Sequence, residues 1–112
     1  MDISFNKRQL AKSCNSREAA IKRWGANNAK IIMQRLKELS NAPSLAEVCL
    51  LPAPRCHELK GKLKGRFAVD VQHPFRMVFV PDHNPLPYRD DGGLDLEKIT
   101  AIVILSVEDY HG

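Results

Sequence analysis

The sequence predicts an α+β domain in which N-terminal helices pack on one face of a small, twisted antiparallel sheet. Three patterns support this fold class. Apolar residues recur near the helical period of 3.6 between positions 15 and 39. Residues 66–71 and 75–80 each alternate between apolar and polar side chains around a short turn, as in an antiparallel hairpin. Residues 99–107 are apolar at almost every position, which is typical of a central strand.

The length and composition indicate a single domain that spans residues 1–112. Apolar residues make up 44% and charged residues 27% of the chain, as in ordinary globular proteins. No apolar run approaches the roughly 18 residues that a membrane span needs. The first five residues lack the basic and then apolar build of a secretory signal. We therefore expect a cytoplasmic protein that does not contact a membrane.

The cysteine pattern predicts neither a disulfide framework nor a metal site. Cys14, Cys49 and Cys56 are odd in number and include no CxxC spacing, so reduced thiols are expected. Cys56 adjoins His57, but no second pair has the spacing of zinc ligands. We expect no metal ion and no cofactor.

Charge is distributed unevenly along the chain. Residues 1–66 carry 14 Lys/Arg against 5 Asp/Glu, a net charge of +9, whereas residues 67–112 carry 3 against 8, a net charge of −5. A basic half of this size favours a polyanionic partner such as nucleic acid. A solvated basic helix face explains the charge alone equally well.

The first half of the chain is predicted to form an edge strand and then helices. Residues 2–6 alternate as in a short strand. Asn15 is placed to cap the helix that follows. Gly25 either bends this helix or separates two helices. Trp24 lies on the apolar stripe, which favours a packing role over stacking on a nucleic-acid base.

The connecting segments are predicted from their turn and breaker residues. Residues 44–47 form a capping box and predict a single helical turn. Residues 51–54 predict a stiff extended connector, and residues 61–65 a flexible basic loop. Residues 81–97 hold three prolines and five acids, which predicts a long exposed loop.

The hairpin geometry predicts that polar residues from distant segments converge. A three-residue turn at 72–74 puts Asp70 opposite Arg76. If residues 99–107 run antiparallel beside 75–80, the end of the chain comes close to Arg76. The residues predicted to converge at this end of the sheet are His57, Lys60, Arg76, Asp109, Tyr110 and His111.

Histidines and fixed cations suit RNA cleavage without a metal ion. A base must take the proton of a ribose 2′-OH, an acid must protonate the leaving 5′-oxygen, and cations must stabilise the charge on phosphorus. Histidine titrates near neutral pH and can serve as base or acid. Each residue also has a purely structural explanation. In it, Arg76 serves only to pair with Asp70, His57 is simply a residue at a sheet edge, and the C-terminus is frayed.

The same residues resemble those of a known toxin family. The relevant segments are Ile-Ser-Phe at 3–5, Pro-Ser-Leu-Ala-Glu at 43–47, His-Glu-Leu-Lys-Gly at 57–61, Phe-Arg-Met-Val-Phe at 75–79 and Asp-Tyr-His at 109–111. In order and spacing they resemble the HigB-like "plasmid maintenance system killer" toxins of the RelE/ParE superfamily. The resemblance implies a compact α+β fold and a type II toxin that acts as a ribosome-dependent mRNA endonuclease. It also implies two partners: the ribosome, contacted at 16S rRNA near the A site, and a helix-turn-helix antitoxin.

The resemblance places the functional residues of the family on this chain. His57 and His111 are expected to transfer protons, and either could be the base. Arg76 and Lys60 are expected to hold the scissile phosphate, and Tyr110 to position a nucleotide. The remaining expected site residues are Asp109, which would orient a neighbour, and the RNA-binding cations Lys62, Lys64 and Arg66.

Two other functions stay open on the same fold. One is a ParE-like inhibitor of DNA gyrase, which would not need the convergence of His57, Arg76 and His111. The other is a non-catalytic module that binds an antitoxin. The loop at 81–97 departs from the family, in which the turn is usually tighter, and we expect it to lie beside the site.

Overall fold

The computed structural model describes residues 1–109, which form one five-stranded sheet with four α-helices. The elements in chain order are β1 Asp2–Phe5, α1 Arg8–Asn15, α2 Arg17–Trp24, α3 Ala26–Asn41, α4 Leu45–Cys49, β2 His57–Glu58, β3 Phe67–Asp70, β4 Phe75–Pro81 and β5 Ala101–Asp109. The strand order is β1-β5-β4-β3-β2. The predicted α+β class is confirmed. The sheet departs from an all-antiparallel one at a single place, because β1 runs parallel to β5.

The central hairpin has the predicted register. Asp70 on β3 is paired with Arg76 on β4, as expected from a three-residue turn. The main-chain N–H of Val71 also donates to the oxygen of Phe75 at 3.3 Å and closes that turn. β5 runs antiparallel beside β4, so its C-terminal end reaches Arg76, which is paired with Glu108. The predicted central position of the last strand is confirmed.

A β-bulge interrupts the pairing of β4 with β5. Phe79 is paired with Ile104, but the preceding residue of β4, Val78, is paired with Ser106. Leu105 is therefore an extra residue in β5. Beyond it, the side-chain alternation of β5 is reversed, so that Val107 rather than Ser106 shares the face of Ile104.

The main core lies between the helices and one face of the sheet. Phe67 and Phe79 stack there with ring centroids 6.0 Å apart and are almost fully buried. Trp24 packs against this core, with the Arg23 guanidinium 4.8 Å from its ring centroid, so its predicted packing role is confirmed. The opposite face carries a small apolar cluster to which none of the four helices contributes: Leu59, Ala68, Val78 and Leu105.

Several element boundaries differ from those predicted. Ser16, rather than Asn15, caps α2, because its Oγ accepts from the N–H of Ala19 at 3.2 Å. Of the two alternatives left open at Gly25, the structure has two helices, with Gly25 at φ 84° between α2 and α3. Residues 52–54 form a turn instead of an extended connector, since the N–H of Arg55 donates to Pro52 at 3.3 Å.

The long loop at 81–97 lies at the other end of the sheet from Arg76. It leaves at Pro81, and the chain rejoins the sheet at Ala101, where the N–H of Asp82 donates to the Ala101 oxygen at 2.8 Å. Pro81 is five positions along β4 from Arg76, which is ~17 Å at about 3.3 Å per residue of strand. Leu94 and Leu96 pack against the core. The expectation that this loop lies beside the site is wrong, and the loop is partly buried rather than fully exposed. None of the helices within residues 1–109 is long and apolar enough to cross a membrane.

Candidate active site

A small polar pocket lies on the sheet face that points away from the helices. Its volume is about 60 Å³, and it is lined by Arg55, His57, Asp70 and Arg76. A cavity of roughly 10–15 Å³ already holds one water molecule, so this pocket has room for several waters or a group of similar size. Two guanidinium groups, one imidazole and one carboxylate therefore border a single small space.

Strand pairing explains why residues from three strands reach this pocket. His57 on β2 is paired with Ala68 on β3, and Asp70 on β3 is paired with Arg76 on β4. Directly paired residues share a face of the sheet, as do residues two apart on one strand. His57, Asp70 and Arg76 therefore lie on the same face.

Arg76 is held from the neighbouring strand by a carboxylate. Its side chain is 19% exposed, and its Nη2 lies 3.4 Å from Oε1 of Glu108. The other carboxylate oxygen of Glu108 accepts from the Ser106 hydroxyl at 2.9 Å. This arrangement orients the guanidinium while leaving it accessible from the pocket.

Arg55 reaches the pocket because the pairing along β3 slips by one residue. The N–H of Asp70 donates to the oxygen of Pro54 at 2.7 Å, whereas the register at His57–Ala68 would place Arg55 opposite Asp70. Arg55 is the extra residue in this segment. Its φ is 47°, a left-handed conformation that is uncommon for residues other than glycine. Its Nε lies 2.7 Å from Oδ2 of Asp70, and the two side chains form an ion pair.

Helix α3 supports the pocket from the core side of the sheet. Arg35 donates through Nε to the main-chain oxygen of Asp70 at 2.6 Å and through Nη2 to that of Ala53 at 3.4 Å. Asn28 is buried, and its Oδ1 accepts from the N–H of Gln72 in the hairpin turn at 3.0 Å. The helix thus fixes the main chain at Asp70, at Ala53 and in the hairpin turn.

His57 lines the pocket and uses one ring nitrogen in a hydrogen bond with the main chain. Its Nδ1 is 2.8 Å from the main-chain oxygen of Arg55. A carbonyl oxygen can only accept, so Nδ1 carries the proton in this hydrogen bond. In the neutral ring, Nε2 is then unprotonated and can accept a proton from a ligand.

The predicted cations of the 60–66 segment lie outside this pocket. Lys60 lines a separate shallow depression with Glu58, Gly61 and Lys64. Lys62, Lys64 and Arg66 are exposed. The expected convergence of Lys60 with Arg76 in one pocket is therefore not observed, because the chain turns away into a short 3₁₀ helix at Gly61–Leu63.

The three C-terminal predictions have different outcomes. Asp109 is paired with Phe75, so the alternation of β5 puts it on the face opposite to Arg76. Tyr110 and His111 lie outside the described residues.

Sequence reasoning missed Arg55 and Glu108. Arg55 follows Pro54 and lies two residues before His57, which is a weak signal for a pocket residue. Glu108 is adjacent to the predicted Asp109, but the bulge at Leu105 decides which of the two faces Arg76. In residues 1–109, no three His, Cys, Asp or Glu side chains are grouped so that they could hold a metal ion.

Comparisons with known proteins address the fold. Neither the protein-family models nor the curated protein sequences gave a match to this chain. A solved YoeB–YefM complex from Staphylococcus aureus matches with a TM-score of 0.57 and 20% identity, covering 100% of this chain and 98% of that one. This chain has the fold of the matching chain in that complex. A YoeB/ParE toxin from Agrobacterium tumefaciens also matches with a TM-score of 0.57, at 11% identity, over 98% and 99% of the two chains. The likeness covers the whole domain and is one of fold.

Proposed function

We propose that this protein is the toxin of a type II toxin–antitoxin system and that it cleaves RNA at the pocket. The observation that carries the proposal is the meeting of Arg55, His57 and Arg76 around one space on the open face of the sheet. The fold shared with YoeB and ParE toxins supports it. The structure named YoeB–YefM is a complex, which supports a cognate antitoxin for this chain; we propose one with a helix-turn-helix domain.

In the proposed reaction, the pocket binds the scissile phosphate. The guanidinium groups of Arg76 and Arg55 donate to its non-bridging oxygens and stabilise the charge that develops on them. His57 Nε2 accepts the proton of the 2′-OH as the 2′-oxygen attacks phosphorus. The bond from phosphorus to the 5′-oxygen breaks, and that oxygen takes a proton from an acid, a role we assign to His111. The products are a 2′,3′-cyclic phosphate and a 5′-hydroxyl.

Most of the other predicted residues have supporting roles in this proposal. Tyr110 positions a nucleotide, whereas Asp109, on the opposite face of the sheet, has no role at the pocket in this proposal. The exposed cations near the pocket bind the RNA backbone beyond the scissile phosphate: Lys60, Lys62, Lys64 and Arg66. We propose that the substrate is mRNA on the ribosome in the cytoplasm, with these cations contacting 16S rRNA near the A site.

The proposal is tested by induced expression with mapping of mRNA 5′ ends. The wild-type protein should arrest growth and create new 5′ ends within translated codons. Arg76→Ala should lose both, with cleavage reduced about 10²- to 10³-fold, as for the removal of one donor to a developing oxyanion. Arg89→Ala is the matched control, because Arg89 is an exposed arginine paired with Asp91 in the distant loop. A fully toxic Arg76→Ala protein would refute the nuclease assignment.

A ParE-like inhibitor of DNA gyrase is the second candidate, since one structural neighbour is named a YoeB/ParE toxin. Such an inhibitor needs neither a base nor phosphate ligands in the pocket. A gyrase supercoiling assay with the purified protein separates the two functions. A non-catalytic antitoxin-binding module would be inactive in both assays.

A further inference from the structure

Two of the three thiols lie against each other where the chain enters β2, packed against the main core. Sγ of Cys49 is 3.4 Å from Sγ of Cys56, and both cysteines are free. Cys49 ends α4, and Cys56 directly precedes β2. A disulfide requires a sulfur–sulfur distance of about 2.05 Å, so a relative movement of ~1.4 Å would suffice. We propose that Cys49 and Cys56 are a peroxide-sensitive pair that forms a disulfide and thereby changes the pocket.

The surroundings of the two thiols give them different roles. Hydrogen bonding with Cys56 lowers the pKa of the Cys49 thiol to about 7, although partial burial opposes this shift. The same hydrogen bond, together with deeper burial, raises the pKa of the Cys56 thiol. The thiolate is the reactive form of cysteine. Cys49 is therefore the thiol that reacts with the oxidant, and Cys56 is the thiol that resolves the product.

The reaction balances with one peroxide molecule. The Cys49 thiolate attacks one oxygen of hydrogen peroxide, the O–O bond breaks, and a sulfenic acid and hydroxide form. The Cys56 sulfur then attacks the Cys49 sulfur, forming the S–S bond and displacing hydroxide. That hydroxide leaves as water with the proton of the Cys56 thiol. Two thiols lose two electrons, and the peroxide is reduced.

The disulfide would act on the pocket through the main chain. Cys56 lies between Arg55 and His57, both of which line the pocket. Arg55 is held in a left-handed conformation, and its oxygen bonds His57 Nδ1, so a pull on Cys56 disturbs both side chains together. A displacement of about 1 Å at a catalytic group can cost about 10²-fold in rate. This functional effect rests on the proposed RNA cleavage, whereas disulfide formation does not.

Cys14 provides an internal control. It is buried in the main core, where burial raises the pKa of its thiol to about 11. It should remain reduced under conditions that oxidise the other two cysteines.

The disulfide is tested by treating the full-length protein with hydrogen peroxide and digesting it without reductant. The expected result is a loss of about 2 Da, a peptide pair linked through Cys49 and Cys56, free Cys14, and full reversal by a thiol reductant. In Cys56→Ser, dimedone should trap a sulfenic acid on Cys49. Sulfinic acid on Cys49 beside a free Cys56 in the wild-type protein, or linkage only between chains, would overturn the proposal.

The effect on the pocket is tested by the RNA-cleavage rate before and after oxidation. The oxidised wild-type protein should cleave at least about 10-fold more slowly than the reduced protein, while Cys49→Ser should be unaffected by peroxide. Equal rates for a fully disulfide-linked and a reduced protein would overturn the effect on the pocket. If the reduced protein cleaves no RNA, the proposed function fails, and the mass measurement still decides whether the disulfide forms.

Discussion

Oδ2 of Asp70 forms an ion pair with Nε of Arg55 at 2.7 Å, although Arg55 belongs to the slipped segment before β2 rather than to the hairpin. Arg76, on the hairpin, is paired with Glu108 on β5. Each guanidinium of the pocket therefore has its own carboxylate. The two cations are oriented before any ligand arrives, and a bound phosphate adds to these contacts.

The left-handed backbone at Arg55 predicts unequal effects of two truncations. Arg55→Ala and Arg55→Gly both remove the ion pair with Asp70, which is worth at most about 1 kcal/mol at this exposure. Alanine keeps the unfavourable Cβ at φ 47°, and glycine does not. Arg55→Gly should be more stable than Arg55→Ala by about 1 kcal/mol in urea unfolding. Equal stability would show that the backbone at this residue is unstrained.

The buried amide of Asn28 should stabilise the hairpin turn. Asn28→Ala leaves the N–H of Gln72 without its acceptor and should lower the free energy of unfolding by about 1–3 kcal/mol. Its exposed neighbour Asn27 is the matched control, and Asn27→Ala should stay within about 0.5 kcal/mol of the wild-type value. Thermal or urea unfolding measures both. Similar losses for the two variants would rule out a specific role of the Asn28 hydrogen bond.

Glu108 places a negative charge beside the proposed phosphate site. Glu108→Gln keeps the shape of the side chain and removes this charge, so RNA binding should tighten. About 1 kcal/mol between unit charges at 4 Å in water corresponds to roughly fivefold in Kd. A non-cleavable RNA with a 2′-deoxy substitution provides the measurement, and Glu97→Gln in the distant loop is the control. Weaker binding by Glu108→Gln would mean that orientation of Arg76 outweighs charge repulsion.

The Cys49 thiol should react with iodoacetamide at neutral pH. Because the thiolate is the nucleophile, the alkylation rate rises as pH increases through the pKa, with a midpoint near pH 7 for Cys49 and near 11 for Cys14. Cys56→Ser weakens the hydrogen bond that lowers this pKa, so the Cys49 midpoint should move upward. Peptide mass spectrometry after timed labelling at several pH values resolves the sites. An unchanged midpoint would refute the effect of Cys56.

Local patterns in the sequence predicted the hairpin and its register. The alternation on both sides of residues 72–74 predicted a register in which Asp70 is paired with Arg76. The apolar run at 99–107 predicted a central strand. The parallel pairing of β1 with β5 was missed, since it joins residues about 100 positions apart and no turn fixes its direction.

The pocket was predicted in part. His57 and Arg76 were found from their residue types and from the strand order. Arg55 was missed because its place depends on a one-residue slip. Lys60 was expected in the same pocket but lines a separate depression, because the chain turns at Gly61. A glycine or proline signals a turn in sequence, whereas an arginine at positive φ gives no such signal.

The extra residue in β5 reverses the alternation of its side chains part-way along the strand. Up to Ile104, the alternation points apolar side chains into the main core. After Leu105, it places Glu108 opposite Arg76. If Leu105 were instead paired regularly, without the bulge, Glu108 would be turned toward the helices and Asp109 toward the face of Arg76. The sequence of the last few residues therefore does not by itself decide which acidic side chain faces Arg76. Related sequences are best aligned by locating the bulge rather than by matching Glu108 or Asp109 to an acidic residue.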